Sequence, residues 1–575
     1  MKKRLISLLA AITMLLSFAA CNKGGSSAST DPATSESTSE TTPSSESKGG
    51  EITDCITVDP IKLDGLDEKY LPVPSEIKQR SGQIDVVIQF ESTEPAWEAL
   101  AAEYQRLHSD AVTVNIGMEG VQGKYKDRLN TELNNPKTEW DIVQGNLVSD
   151  LAAKCYNMSG AINKTNGYAG NLKWSNVLNR NAYTTDTSGS TSSVYIINSQ
   201  DLQTAWFINT VAFNEAKTEA VKDGVTLKQT PETWDELMTV CKYMKKAGYK
   251  YPLGISLDND SVDGFQFSWL IRVYGDYYYR NEYKNIMTSD NFELDVTDEN
   301  PEADPEYGVM ITKFYNVILD ETSEYYCGAK SPKYKEFVSQ FAKMKDYVHT
   351  AAASESFETV RNKFRTQSAG KESPQITLDY AGSGLSFNDM DGFSMDFFDY
   401  PKMVSEGGYI DDGTIMRDVG GNGGYLSILN HDTKQNELNL DFIKFVMSPY
   451  GQSIYYNALS KTEVAPQGIT TVKNDLVVVP QKWTDFFKTD KISFTGLSDS
   501  DYFVQSFLRY IAVNKDNIET SIIIWRGLLN ADSPMSIDEF SAKWHTSLMT
   551  AWTEYATSQK WNVDCYKVWG GPTNG

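Results

Sequence analysis

Aromatic rings, and side chains that pair with hydroxyls, dominate the chemistry open to this sequence. Its 575 residues include 12 Trp and 32 Tyr beside 77 Asp and Glu, against four His and six Cys. A flat ring buries the apolar face of another ring, and carboxylates and amides at its edge pair with hydroxyls. Two carboxylates about 5–10 Å apart across a cleft would instead hydrolyse a glycosidic bond. With 77 acids such pairs can be drawn anywhere, so their presence decides nothing. His108, His349, His431 and His545 lie far apart, which argues against a histidine-based metal site or triad. Cys55, Cys155, Cys241, Cys327 and Cys565 are scattered, odd in number and form no CxxC. Neither a disulfide framework nor a zinc site is expected, and no cofactor. DNDSVDG at 258–264 breaks EF-hand spacing and lacks the closing Glu, and DENPEADPE at 298–306 reads as a solvated acidic loop.

Those side chains need a frame. IDVVIQF (84–90), VTVNIGM (112–118) and WDIVQGN (140–146) are short apolar runs that read as strands. PAWEALAAEYQRLH (95–108) and YKDRLNTELNN (125–135) between them read as amphipathic helices. Such alternation predicts a mostly parallel sheet with helices on its faces. Ligands of such sheets sit beyond the carboxyl ends of the strands, which singles out Glu91, Ser92, Thr93 and Asn146. No series of eight strand–helix repeats suggests a catalytic barrel. In TPETWDELMTVCKYMKKAGY (230–249), Thr233 and Glu236 make a capping box. Leu237, Cys241 and Met244 share one apolar face of that helix, and Gly248 is placed to end it. Trp97, Trp140 and Trp234 are assigned to the core.

The first 21 residues carry Lys2, Lys3 and Arg4, an apolar run from Leu5 to Leu16 and small residues before Cys21, the pattern of a secretory signal. The run is too short to cross a membrane. Ala19-Ala20-Cys21 resembles a bacterial lipobox, with Phe18 where Leu is commoner; this implies cleavage before Cys21 and lipid on its thiol and amine. Of residues 22–50, 14 are Ser or Thr and none is aromatic. Such a stretch cannot offset its chain entropy by burial and is expected to be a disordered tether. About 29 flexible residues span roughly 30 Å. Net charge is −24, and more negative once Lys2, Lys3 and Arg4 leave. An acidic surface repels nucleic acid and anionic lipid. More than 500 residues of ordinary globular composition require at least two domains.

Several of these stretches, with others downstream, resemble landmarks of one family in its own order. The strand, the Pro-Ala-Trp helix, the second strand, the Tyr-initiated helix and the Trp-Asp-Ile-Val strand resemble the first lobe of the family 1 extracellular solute-binding proteins of carbohydrate ABC transporters. VYIINSQDLQTAWFINTVAFNEA (194–216) resembles the entry into the second lobe, with Ile208-Asn209 in place of Tyr-Asn and Phe213 kept. TPETWDEL matches the Pro-x-Thr-Trp-x-Glu helix opening, and FQFSWLIRVYGDYYY (265–279) the aromatic helix. QITLDYAGSG (375–384) stands at the strand before a Gly-Ser-Trp loop, with Leu385 in place of the Trp. FFDYPKM (397–403) and residues 420–456 resemble the closing strand and helix. The match runs from about 84 to 465. Beyond it, residues 510–555 resemble the extra helical end of larger oligosaccharide binders.

The resemblance implies an α/β, periplasmic-binding-protein-like fold of two lobes with mostly parallel central sheets, joined by hinge segments near 203–206, 382–385 and 430. The expected division is a signal peptide at 1–21, a tether and N-terminal extension at 22–80, a first lobe of 81–204 with 383–429, and a second of 205–382 with 430–575. It further implies a monomer that captures a carbohydrate, such as an oligosaccharide, by lobe closure. The cargo passes unaltered to ABC permease subunits, with the lipid on Cys21 holding the protein at the membrane's outer face. Strand ends and crossings then nominate Glu91, Asn146, Gln203, Trp206, Gln266, Trp269, Asp379, Tyr380, Ser383 and Tyr425 as ligand-binding residues. A secreted glycoside hydrolase and a sugar-sensing lipoprotein that reports to a receptor are the rival readings.

Overall fold

The computed structural model describes residues 54–88, 93–118, 129, 131–132, 134–135, 138–145, 154–179, 182–186, 193–257, 266–289, 296–304, 307–349, 355–387, 390–418, 421–462, 464, 466, 468–481, 483, 508, 518–567 and 569. All belong to the compact unit Ile52–Gly575. The signal peptide and most of the tether lie outside the described residues, as do most of the helix expected at 125–135, Glu91 and Asn146.

The strands are β1 (Gly82–Ile88), β2 (Val112–Met118), β3 (Ile142–Gln144), β4 (Thr165–Asn166), β5 (Leu172–Lys173), β6 (Tyr183–Asp186), β7 (Ser193–Leu202), β8 (Thr204–Asn209), β9 (Leu253–Gly254), β10 (Ile376–Tyr380), β11 (Met395–Phe398), β12 (Gly421–Ile428) and β13 (Ile469–Thr470). One sheet runs β13-β7-β12-β3-β1-β2 with β6 on β7; a second runs β11-β8-β10-β9; β4 and β5 pair by themselves. In the two larger sheets only β1–β2, β1–β3 and β9–β10 run parallel among the described pairs. The expectation of mostly parallel sheets is therefore corrected to mixed sheets. The cause is the path of the chain, since β12 enters the first sheet antiparallel to β3 and β7, and β8 runs antiparallel to β10 and β11.

Each large sheet has a main core, although Ala205 and Phe207 of β8 pack into that of the first. Around the first, α1 (Glu94–Leu107), α7 (Thr433–Val446) and α8 (Pro449–Leu459) bury Trp97, Leu100, Tyr104, Phe442, Phe445 and Tyr450 with Ile84, Val86 and Ile142. Residues 54–80 are part of this lobe, with Ile56 and Ile77 buried and the Ile61 amide donating to the Tyr450 hydroxyl at 3.0 Å. Around the second sheet lie α2 (Thr210–Lys222), α3 (Trp234–Lys246), α4 (Phe267–Ile286), α5 (Pro332–Ala342), α9 (Ile518–Leu528) and α10 (Ile537–Ser558). The capping box of α3 forms as its sequence requires, and Gly248 takes φ +98° just past the helix end.

Lobe membership departs from the expected boundaries. Residues 430–483 pack on the first lobe, because four residues separate β12 from α7 and so short a link returns the helix to the sheet it left. Residues 390–418 stay with the second lobe, where β11 pairs with β8 and Tyr400, Met403 and Met416 join the core. Crossings occur at Gln203 and between Asp418 and Gly421, in place of 382–385; Asn430 lies within the first lobe, whose core includes Trp483, whereas Ile524 belongs to the second core. At the two crossings, Asp418, 3% exposed, accepts from the Thr204 amide at 2.7 Å and from its hydroxyl at 2.5 Å. The acidic stretch 298–306 is not wholly solvated. Asp304 is buried and accepts from the Tyr555 hydroxyl of α10 at 2.6 Å and the Tyr307 amide at 2.7 Å.

Candidate functional site

Strand β10 ends at Tyr380, and five of the nominated residues gather at that end. The Asp379 side chain is fully buried, as are the three residues before it in β10, while Tyr380 at the strand end is half-buried. Helix α6 (Phe357–Thr366), capped by Ser356, brings Arg361 across it. The guanidinium donates twice to the carboxylate, Nε to Oδ2 and Nη2 to Oδ1, both at 2.7 Å. Ser383 Oγ donates to Oδ1 at 3.0 Å and the Tyr380 amide at 2.6 Å. Burial pushes the Asp379 carboxyl up from its ordinary value, and the Arg361 hydrogen bonds and charge pull it back. Burial alone would lower Arg361, but its bonds to Asp379 hold it above the ordinary arginine value.

Three rings cluster beside this pair. Trp269 of α4 lies 4.9 Å from Tyr380 and 5.3 Å from Phe357, centroid to centroid, and the Arg361 guanidinium carbon sits 4.3 Å over the Phe357 ring. Gln266, just before α4, accepts from the Ser256 amide at 2.6 Å and donates to the Leu378 carbonyl. Gln203 approaches through its backbone, its carbonyl accepting from the Ala381 amide at 2.7 Å. Its own side chain is buried, with no hydrogen bond to Oε1 among the described residues.

Trp206 is not part of this group. It is fully buried in the second core, stacked on Phe398 at 6.3 Å and edge-on to Trp234 at 6.4 Å. All six residues of β8 are buried, so its position beside a crossing exposes no ring. Tyr425 lies half-buried in β12 of the other lobe, its carbonyl accepting from the Gly145 amide at 2.8 Å. The preceding Gly424 holds φ +58°, and a Cβ there would meet Ser199 Oγ at 2.1 Å. Glu91 and Asn146 follow β1 and β3 and are outside the described residues. Phe357 and Arg361 were not anticipated. Arg361 meets Asp379 only because the fold brings residues 18 apart together.

Trp269 is buried in the second core, so the surface this group offers comes from the half-buried Phe357, Tyr380 and Ser383 beside an Arg361–Asp379 charge already paired, which suits an uncharged ligand with an apolar face and hydroxyls. Among the described residues no grouping of three or more His, Cys, Asp or Glu could hold a metal ion.

No protein-family model and no curated protein matches the sequence. Solved structures do match. A chitin oligosaccharide binding protein is 15% identical, with 82% of this chain and 99% of that one covered and a TM-score of 0.50. The chain has the solute-binding-protein fold. A probable secreted solute-binding lipoprotein from Streptomyces coelicolor matches at 12% identity over 82% and 98% of the two chains, TM-score 0.49. A family 1 extracellular solute-binding protein from Bifidobacterium longum subsp. infantis matches at 11% over 82% and 99%, TM-score 0.48.

Proposed function

We propose that this protein captures an oligosaccharide between its lobes, closes on it and passes it unaltered to an ABC permease. The observation that carries this reading is the convergence of Gln266, Trp269, Asp379, Tyr380 and Ser383 at one strand end beside the Gln203 crossing. The fold shared with a chitin oligosaccharide binding protein supports the ligand class. Gln203, Tyr425, Glu91 and Asn146 complete the proposed ligand set; Trp206 supports it from the core. The ligand favours the closed form by binding it better than the open one, and no covalent step is involved. The protein acts as a monomer on the outer face of the membrane, held by lipid on Cys21 through the Ser/Thr-rich tether.

A thermal-shift screen against mono- and oligosaccharides tests the ligand class, because a bound cargo raises the melting temperature by mass action. A shift with one oligosaccharide series, no product after overnight incubation, and a smaller radius of gyration at saturation are expected. Appearance of hydrolysed product would establish the hydrolase instead. Cross-linking in cells separates transport from sensing, since permease subunits co-purify in the first case and a receptor in the second.

A further inference from the structure

The C-terminal helices reach the candidate site from behind. Trp525 of α9 is 2% exposed, and its ring meets that of Phe267, the first residue of α4, edge-on at 5.2 Å. Helix α10 fixes it there, with Phe540 at 4.7 Å from the Trp525 ring and the Met535 amide donating to the Gly527 carbonyl at 2.9 Å. The next residue, Arg526, donates from both Nε (3.2 Å) and Nη2 (3.0 Å) to the carbonyl of Leu257. That carbonyl belongs to the segment already tied to the site. The Ser256 amide donates to Gln266 Oε1, the Phe267 amide donates to the Ser256 carbonyl at 3.2 Å, and the Gln266 amide nitrogen donates to Leu378 of β10.

We propose that Arg526 is a positioning residue of the ligand site. Its guanidinium, aimed by α9, holds Ser256–Leu257 and through them the first turn of α4, so that Trp269 stays against Tyr380. This rests on the solute-binding reading of the Trp269–Tyr380 platform. The residue type matters, because a planar guanidinium presents two N–H groups in a fixed fork to one carbonyl, whereas an ammonium is a flexible point donor. The C-terminal extension is thereby a structural part of the platform.

The test uses the full chain with Arg526→Ala and Arg526→Lys. Ligand-free hydrogen–deuterium exchange is followed at residues 266–270, with α10 as the control, and chitotriose is then titrated by calorimetry. Loss of one net hydrogen bond predicts exchange at 266–270 about fivefold faster in the alanine variant, with α10 unchanged and the lysine variant intermediate. Where the wild type binds chitotriose, the alanine variant binds it more weakly by a similar factor while its melting temperature holds. Unchanged exchange at 266–270, equal acceleration throughout the chain, or unaltered affinity in the alanine variant overturns the proposal. A wild type that ignores chitotriose counts against that sugar as cargo, and the exchange result then decides the role of Arg526 by itself.

Discussion

Removing Arg361 tests how the platform is held up. Its partner Asp379 has no exposed side-chain surface, and Arg361→Ala leaves it, among the described residues, the Ser383 hydroxyl and the Tyr380 amide as donors. Stranding one member of a buried pair costs about 3–5 kcal/mol. The carboxyl can escape part of that penalty by taking up a proton. Protonating a group with an unfolded pKa of about 3.9 costs about 1.4 kcal/mol per pH unit above that value, so about 4 kcal/mol at pH 7 and about 1.5 at pH 5. These figures cap what the bare carboxylate can cost at each pH. The sign follows from linkage. Burial already holds Asp379 above its ordinary value, and losing Arg361 raises it further. The native state then binds the extra proton, so stability is retained below about pH 4 and is lost as pH rises through the elevated native value. We expect Arg361→Ala to be less stable than wild type by about 3–4 kcal/mol at pH 7 and by about 1.5 at pH 5, with Asp379→Asn in the same chain restoring most of the difference. Urea unfolding followed by far-ultraviolet circular dichroism at the two pH values measures this. An equal loss at pH 5 and pH 7, or a double variant as unstable as the single one, would refute the reasoning.

Trp269→Ala should weaken oligosaccharide binding by at least about 1 kcal/mol, read by calorimetry, and unchanged affinity would return Trp269 to a purely core role. Burial raises Asp441, but His108 at 3.7 Å, the Arg80 charge and the Tyr168 hydroxyl, which donates at 2.6 Å, outweigh it and hold the carboxyl at about 2. It therefore contributes about 2 kcal/mol that is present above about pH 4 and fades as pH falls toward 2, so Asp441→Asn should flatten the acid limb of the stability curve between those values. Thr204→Val removes the hydroxyl that meets both Asp418 and Tyr400 at 2.5 Å, and a loss of about 1–3 kcal/mol in thermal unfolding is expected. A variant as stable as wild type would show that the crossing does not need this bond.

Local chemistry in the sequence settled what depends on near neighbours. The capping box at Thr233 and Glu236 and the strand at 112–118 stand where capping and periodicity place them, and the aromatic helix containing Trp269 stands where the family resemblance implies one. The tertiary structure alone decided which apolar face met which. An apolar stripe at 433–446 fits either lobe equally well until its short link to β12 assigns it to the first. Trp206 looks available beside a crossing, and is covered only because Phe398 and Trp234 arrive from elsewhere in the chain. Arg361 and Asp379 become a pair only when α6 folds over β10, since a charge finds its partner through space and the sequence records only its distance along the chain.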